Sequence, residues 1–127
     1  MINREIIIKN CFNSWITKDI SVFLDSFEDD VLYVESWGPA YKGKEQIKSW
    51  FSDWNKGNRV LRWDIQEFFH IDAICICEWY FECECGGNVD GFNGVSIITF
   101  NEADEIVLLK EFQSKTPNIY PYNNTRL

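Results

Sequence analysis

A chain of 127 residues, 46% hydrophobic and 17% aromatic, with six Trp and ten Phe, supports one domain with a real core and is too short for two. So many rings need burial, which excludes disorder as the main state. Twenty acidic residues against twelve basic ones leave a net charge of −8 with no Lys or Arg cluster, a poor basis for binding nucleic acid.

The opening Met1-Ile2-Asn3-Arg4-Glu5 carries charges where a signal peptide would be apolar. All apolar runs are shorter than the ~20 residues of a spanning helix, so a soluble cytoplasmic protein without a membrane partner is expected. From Asn3 to about Thr17, the residues Ile7, Ile8, Cys11, Phe12 and Trp15 recur at helical spacing. Asp19 is a candidate N-cap for a second short helix with the stripe Ile20, Phe23, Leu24 and Phe27.

The stretch from Glu28 to Gly38 then reads as a strand in which Val31, Tyr33 and Glu35 share one face. A carboxylate beside an aromatic on one face suggests a cavity into which Glu35 points. Gly38 to Gly43 is a loop by its Gly and Pro content, and a third helix is expected from about Lys44 to Trp54, with Ile47, Trp50, Phe51 and Trp54 in line.

Beyond Arg59 everything reads as strand. Arg59 to Ile71 puts Leu61, Trp63, Ile65, Phe69 and Ile71 on one parity and Arg62, Asp64, Gln66 and His70 on the other. Ile74 to Cys85 sorts Cys75, Cys77, Trp79, Phe81 and Cys83 onto a wholly apolar face. Strands over Phe92 to Phe100 and Glu105 to Ser114 come next, and on the last of them Val107, Leu109, Glu111 and Gln113 share a face. Helices first and long hairpins afterwards predict an α+β domain over residues 1–114, its mostly antiparallel sheet covered on one face. Residues 115–127 form an irregular tail containing Tyr120-Pro121-Tyr122.

Cys75, Cys77, Cys83 and Cys85 raise the question of a disulfide or a metal. Alternate strand residues are ~6.7 Å apart with parallel side chains, poor disulfide geometry, and Cys75 and Cys85 would lie ~33 Å apart in a continuous strand, too far to share an ion. They read as reduced apolar fillers, so no metal site is assigned.

Several short motifs occur in a fixed order. They are Trp15 with Lys18-Asp19 and Phe27-Glu28-Asp29-Asp30; Tyr41-Lys42-Gly43-Lys44 with Ile47 and Trp50-Phe51; Glu78-Trp79-Tyr80-Phe81; Phe92-Asn93-Gly94-Val95-Ser96; and Ile106-Val107-Leu108-Leu109. In this order the chain resembles the SnoaL-like branch of the nuclear transport factor 2-like superfamily, relatives of ketosteroid isomerases and polyketide cyclases. The resemblance implies a cone, a strongly bent sheet wrapped around the N-terminal helices with a deep pocket between them, and a homodimer formed through the sheet. It also implies that Glu35 stands where ketosteroid isomerases carry their catalytic Asp, whereas Cys11 and Ser96 hold the places of that family's oxyanion donors. An acidic residue on the late strands of polyketide cyclases points to Glu111.

The resulting expectation is a small organic molecule in an aromatic–acidic pocket. Glu35 and Glu111 would be the catalytic pair, one neutral and donating while the other accepts. Ligand-binding candidates are Trp15, Tyr33, Trp50, Trp54, Trp63, Trp79, Phe81, Ser96, Leu109 and Gln113, with Tyr33 and Gln113 available to orient a carbonyl. His70 and Asp64 are secondary candidates. The chemistry would be cofactor-free isomerisation, cyclisation or dehydration. The alternatives are a non-catalytic binding or dimerisation module, in which Glu35 accepts hydrogen bonds from Ser36, Tyr41 or nearby amides and Glu111 pairs with Arg62 or Lys110.

Overall fold

The computed structural model describes residues 2–123. The elements run α1 (Ile2–Thr17), α2 (Ile20–Asp25), β1 (Phe27–Val34), β2 (Ala40–Lys42), α3 (Gly43–Gly57), β3 (Asn58–Ile71), β4 (Ile74–Cys85), β5 (Asn88–Phe100) and β6 (Ile106–Ser114). The six strands form one curved sheet in the order β2-β1-β6-β5-β4-β3. All neighbours are antiparallel except β1 and β6, which pair in parallel. The first strand thus lies against the last, and α1 packs on β3 while α3 packs on β1. Both helices cover the same concave face. The α+β cone expected from the sequence is what the chain forms.

Asp19 caps α2, its side chain accepting from the Val22 amide at 3.2 Å. That helix is shorter than its apolar stripe suggests. Phe27 is instead the first residue of β1 and fully buried, and the short strand β2 occupies part of the expected loop.

The largest departure lies in β3, where the register against β4 shifts between Val60 and Arg62 and again between Ile65 and Glu67. Each irregularity inserts a residue and re-aims the side chains beyond it. Past the second, Phe68 packs against the core, whereas Phe69 and Ile71 are 52% and 57% exposed. A single parity for Leu61 through Ile71 is therefore incorrect.

Strand β4 keeps its predicted alternation, with Cys75, Cys77, Trp79 and Cys83 buried beneath the helices. The Trp79 ring lies over Gly94 of β5, its register partner. A Cβ at Gly94 would fall on that ring and within 2.5 Å of the Phe112 carbonyl oxygen. Gly94→Ala is expected to cost about 2 to 3 kcal/mol by overpacking, read as a shift in the urea midpoint. A change within experimental error would show that the Trp79 ring and the β6 backbone at Phe112 both give way freely.

After Ser114 the described tail has no helix or strand, and its start is tied down by Thr116, whose Oγ1 accepts from the Asn93 amide at 2.9 Å. Among the described residues no helix is long and apolar enough to cross a membrane.

Candidate active site

Between the helices and the sheet lies a cavity of about 170 Å³. The parallel pairing of β1 with β6 brings its two carboxylates to one place. Tyr33 of β1 lies opposite Leu109 of β6, so Glu111, two residues on, projects to the same face as the Tyr33 ring. The Tyr33 hydroxyl donates to Glu111 Oε2. Glu35 lies just past β1 in a turn, with its amide bonded to the Pro39 carbonyl at 2.8 Å and its own carbonyl accepting from Gly38. Its Oε2 accepts from the Tyr41 hydroxyl at 3.0 Å. Both Glu35 and Glu111 line the cavity.

Burial sets the protonation of the pair. Enclosure among apolar side chains pushes the Glu111 carboxyl up to about 8, with the negative charge of Glu35 adding to the rise and the Tyr33 hydroxyl opposing it. Glu35 is also raised, by desolvation, against hydrogen bonds from Tyr41 and Trp37. Glu111 is therefore a neutral acid at pH 7. The Tyr33 phenol is raised well above its ordinary value, first by its own burial and then by Glu111, so it remains a donor.

The walls are aromatic. Trp15 meets Trp50 at 4.9 Å between ring centroids and Trp54 at 5.6 Å edge-on. Trp63 meets Trp79 at 5.6 Å, also edge-on, and Phe81 at 5.1 Å. Together with Tyr33, these rings line the space from α1, α3 and three strands. Tyr41 stacks on Trp50 at 4.5 Å and so links that wall to Glu35.

Of the residues expected at the site, Trp15, Tyr33, Glu35, Trp50, Trp54, Trp63, Trp79, Phe81 and Glu111 line the cavity. Three others lie elsewhere. Ser96 is fully buried behind the wall and accepts from the Trp79 indole at 2.9 Å, and Leu109 is fully buried in the core. Gln113 shares the parity of Glu111 but is exposed near the end of β6. Tyr33 commits its hydroxyl proton to Glu111, which leaves it poorly placed to orient a carbonyl.

His70 pairs with Glu5 at 2.6 Å and Asp64 with Arg62 at 2.5 Å, and neither lines the cavity. Arg62 is thus engaged away from Glu111. Sequence reasoning passed over Ser36, Trp37, Val60, Cys85 and Phe92 as lining residues. For Phe92 the signal was its register with Phe81 across β4 and β5. All five cysteines are free, with the Cys83 and Cys85 sulfurs in hydrogen-bond contact at 3.3 Å on the cavity rim. Among the described residues no group of three or more His, Cys, Asp or Glu is placed to hold a metal ion.

The SnoaL-like domain matches residues 8–109, most of the chain and every element from α1 into β6. The protein belongs to the SnoaL-like family. Solved structures with this fold include a protein from Catenulispora acidiphila with a ketosteroid isomerase-like fold in complex with trimethylamine. It is 17% identical, with a TM-score of 0.76 and 85% of each chain covered. A structure named for a SnoaL-like polyketide cyclase, from Shewanella putrefaciens, is 8% identical with a TM-score of 0.77, covering 89% of this chain and 90% of its own. An LEH-like epoxide hydrolase of M. tuberculosis is 12% identical with a TM-score of 0.76, covering 85% and 80%. No curated protein sequence matches the chain significantly. At these identities the shared feature is the fold, and the chemistry of this SnoaL-like protein rests on its own residues.

Proposed function

We propose that this SnoaL-like protein is a cofactor-free acid–base enzyme acting on a small organic carbonyl compound, of the isomerase, cyclase or dehydratase type. The observation that carries the reading is one neutral and one ionisable carboxyl on the same aromatic cavity, Glu111 and Glu35. Glu35, as carboxylate, takes a proton from the carbon next to the carbonyl. Glu111, as acid, donates to the oxygen where negative charge develops. The Tyr33 hydroxyl on Glu111 Oε2 then stabilises the carboxylate left behind. The places held by Cys11 and Ser96 supply no strong donor, and neither residue lines the cavity, but protonated Glu111 fills that role from another strand.

The reading is tested by NMR, as deuterium uptake from D2O at the carbon beside the carbonyl across a panel of small ketones and β-dicarbonyl compounds. Glu35→Gln is expected to slow the exchange about 10²- to 10⁴-fold. Glu111→Gln is expected to remove the fall in rate above about pH 8, the value to which Glu111 is pushed. Exchange by wild type no faster than by Glu35→Gln across the panel would overturn the enzyme reading.

A binding role without chemistry is the second reading. Its support is the extent of aromatic wall relative to polar groups, together with the trimethylamine held by the Catenulispora relative. Such a protein would bind a ligand in the same cavity and pass the exchange experiment with no catalysed uptake.

A further inference from the structure

We infer that the cavity takes a molecule carrying a compact tertiary or quaternary alkylammonium group, held against its aromatic wall beside Glu35. The inference deepens the small-molecule reading of this site and rests on it. It stands on three features of the lining.

The first is charge. The ionisable lining consists of Glu35, Glu111, Tyr33, Cys83 and Cys85, and no Lys, Arg or His is among the residues that face the space. An anionic ligand would meet Glu35 with nothing to neutralise it. The wider chain adds to this, since a net charge of −8 raises the local concentration of cations around the molecule.

The second is the wall. Trp15, Trp50, Trp54, Trp63, Trp79 and Phe81 all line the space, so most of what a ligand meets beside Glu35 is ring surface. Each indole face carries the negative end of the ring quadrupole and attracts a cation held within about 6 Å. Tyr41, stacked on Trp50 and donating to Glu35, ties the carboxylate to the same cluster.

The third is the shortage of acceptors. A primary ammonium needs three hydrogen-bond acceptors when it leaves water, and desolvating it without them is costly. Apart from Glu35 and Glu111, each of which already accepts one hydrogen bond, the lining is mainly rings and thiols, so three diverging N–H donors would not find an acceptor on every side. An alkylated head has one donor or none. Its methyl groups spread the charge over the ring faces and need no polar partner.

The experiment compares choline with 3,3-dimethylbutan-1-ol, its uncharged counterpart of the same shape, by isothermal titration against the full chain at pH 7. Choline is expected to bind at least tenfold more tightly. That preference should vanish in Glu35→Gln. In Trp54→Leu, at the edge of the ring cluster, choline should weaken more than the alcohol does. Equal or tighter binding of the alcohol overturns the cation inference and leaves the cavity reading standing. Binding of neither overturns it too, and titration with the neutral ketones of the exchange panel then decides separately whether the cavity reading falls.

Discussion

Glu111→Gln is expected to remove most of the loss of stability that the wild-type protein undergoes as pH rises from about 5 to about 8. In the unfolded chain a Glu carboxyl titrates at 4.5, and in the fold Glu111 titrates at about 8. Between those values the folded state holds a proton that the unfolded state has released. A carboxyl raised by folding contributes its stability in full below its unfolded value and loses it as pH rises through its folded value. The interval corresponds to on the order of 5 kcal/mol, a large part of the 5–15 kcal/mol typical of a whole domain.

Gln has nearly the same shape and cannot ionise, and its amide oxygen still accepts from the Tyr33 hydroxyl. The variant should therefore match wild type near pH 5 and exceed it by several kcal/mol at pH 9. Glu35 is raised as well, so a smaller loss with the same sign should remain in the variant. Urea unfolding at pH 5, 7 and 9, monitored by tryptophan fluorescence, measures the difference directly. Parallel curves for the two proteins would mean that Glu111 is not held neutral, and the proposed acid would then be lost with it.

This sensitivity also bears on function. A carboxyl kept neutral at a cost in stability is what a proton donor at pH 7 requires, and the Asn or Gln that would relieve the cost could not transfer a proton. The same burial that destabilises the fold at high pH supplies the acid. Perturbed carboxyls also arise in purely structural networks, which is why the exchange experiment and the stability experiment are independent tests of one residue.

The resemblance pointed to Glu35 and Glu111, and strand alternation agreed with it because the alternation holds through Tyr33 at the end of β1 and through Leu109 and Glu111 on β6. Tyr33 and Glu35 share a parity on and just beyond β1, and Leu109 and Glu111 share one on β6. Strand β4 was legible for the same reason, with Cys75, Cys77, Trp79 and Cys83 all inward. Alternation alone could not reveal where a strand slips. The two irregularities in β3 carry no Gly or Pro, so Phe69 and Ile71 look like core and His70 looks like surface. In the fold, His70 is part-buried against Glu5 while Phe69 and Ile71 face out.

Nor does parity show depth. Ser96, Leu109 and Gln113 each lie on strands that build the site, but Ser96 and Leu109 sit behind its wall and Gln113 sits near the exposed strand end. Parity says which face a residue takes, whereas reaching a cavity also depends on where the neighbouring rings stop. Trp79 illustrates this, since its indole both lines the space and, by donating to Ser96, closes that residue off from it.

Trp15→Ala is expected to produce the largest loss of stability from a single wall residue, about 4 kcal/mol, within the range for truncating a buried Trp. Trp15 is 4% exposed and its ring touches four others: Phe23 at 5.2 Å, Trp50 at 4.9 Å, Phe51 at 4.5 Å and Trp54 at 5.6 Å. It is the point at which α1, α2 and α3 meet, so truncation opens a hole between three helices. Each ring pair adds about 0.5–1.5 kcal/mol beyond the area it buries. Trp15→Phe should behave differently. The indole Nε1–H of Trp15 is buried with no hydrogen-bond partner among the described residues, a burden that Phe does not carry. Losing part of the ring while losing that unpaired donor should nearly cancel, to within about 1 kcal/mol. Urea unfolding of both variants beside wild type tests the pair. If Phe costs as much as Ala, the stabilising element is a contact through the indole nitrogen, and the packing argument for this wall fails. If Phe is nearly neutral in stability yet weakens choline, the second ring of Trp15 serves the cavity and not the fold.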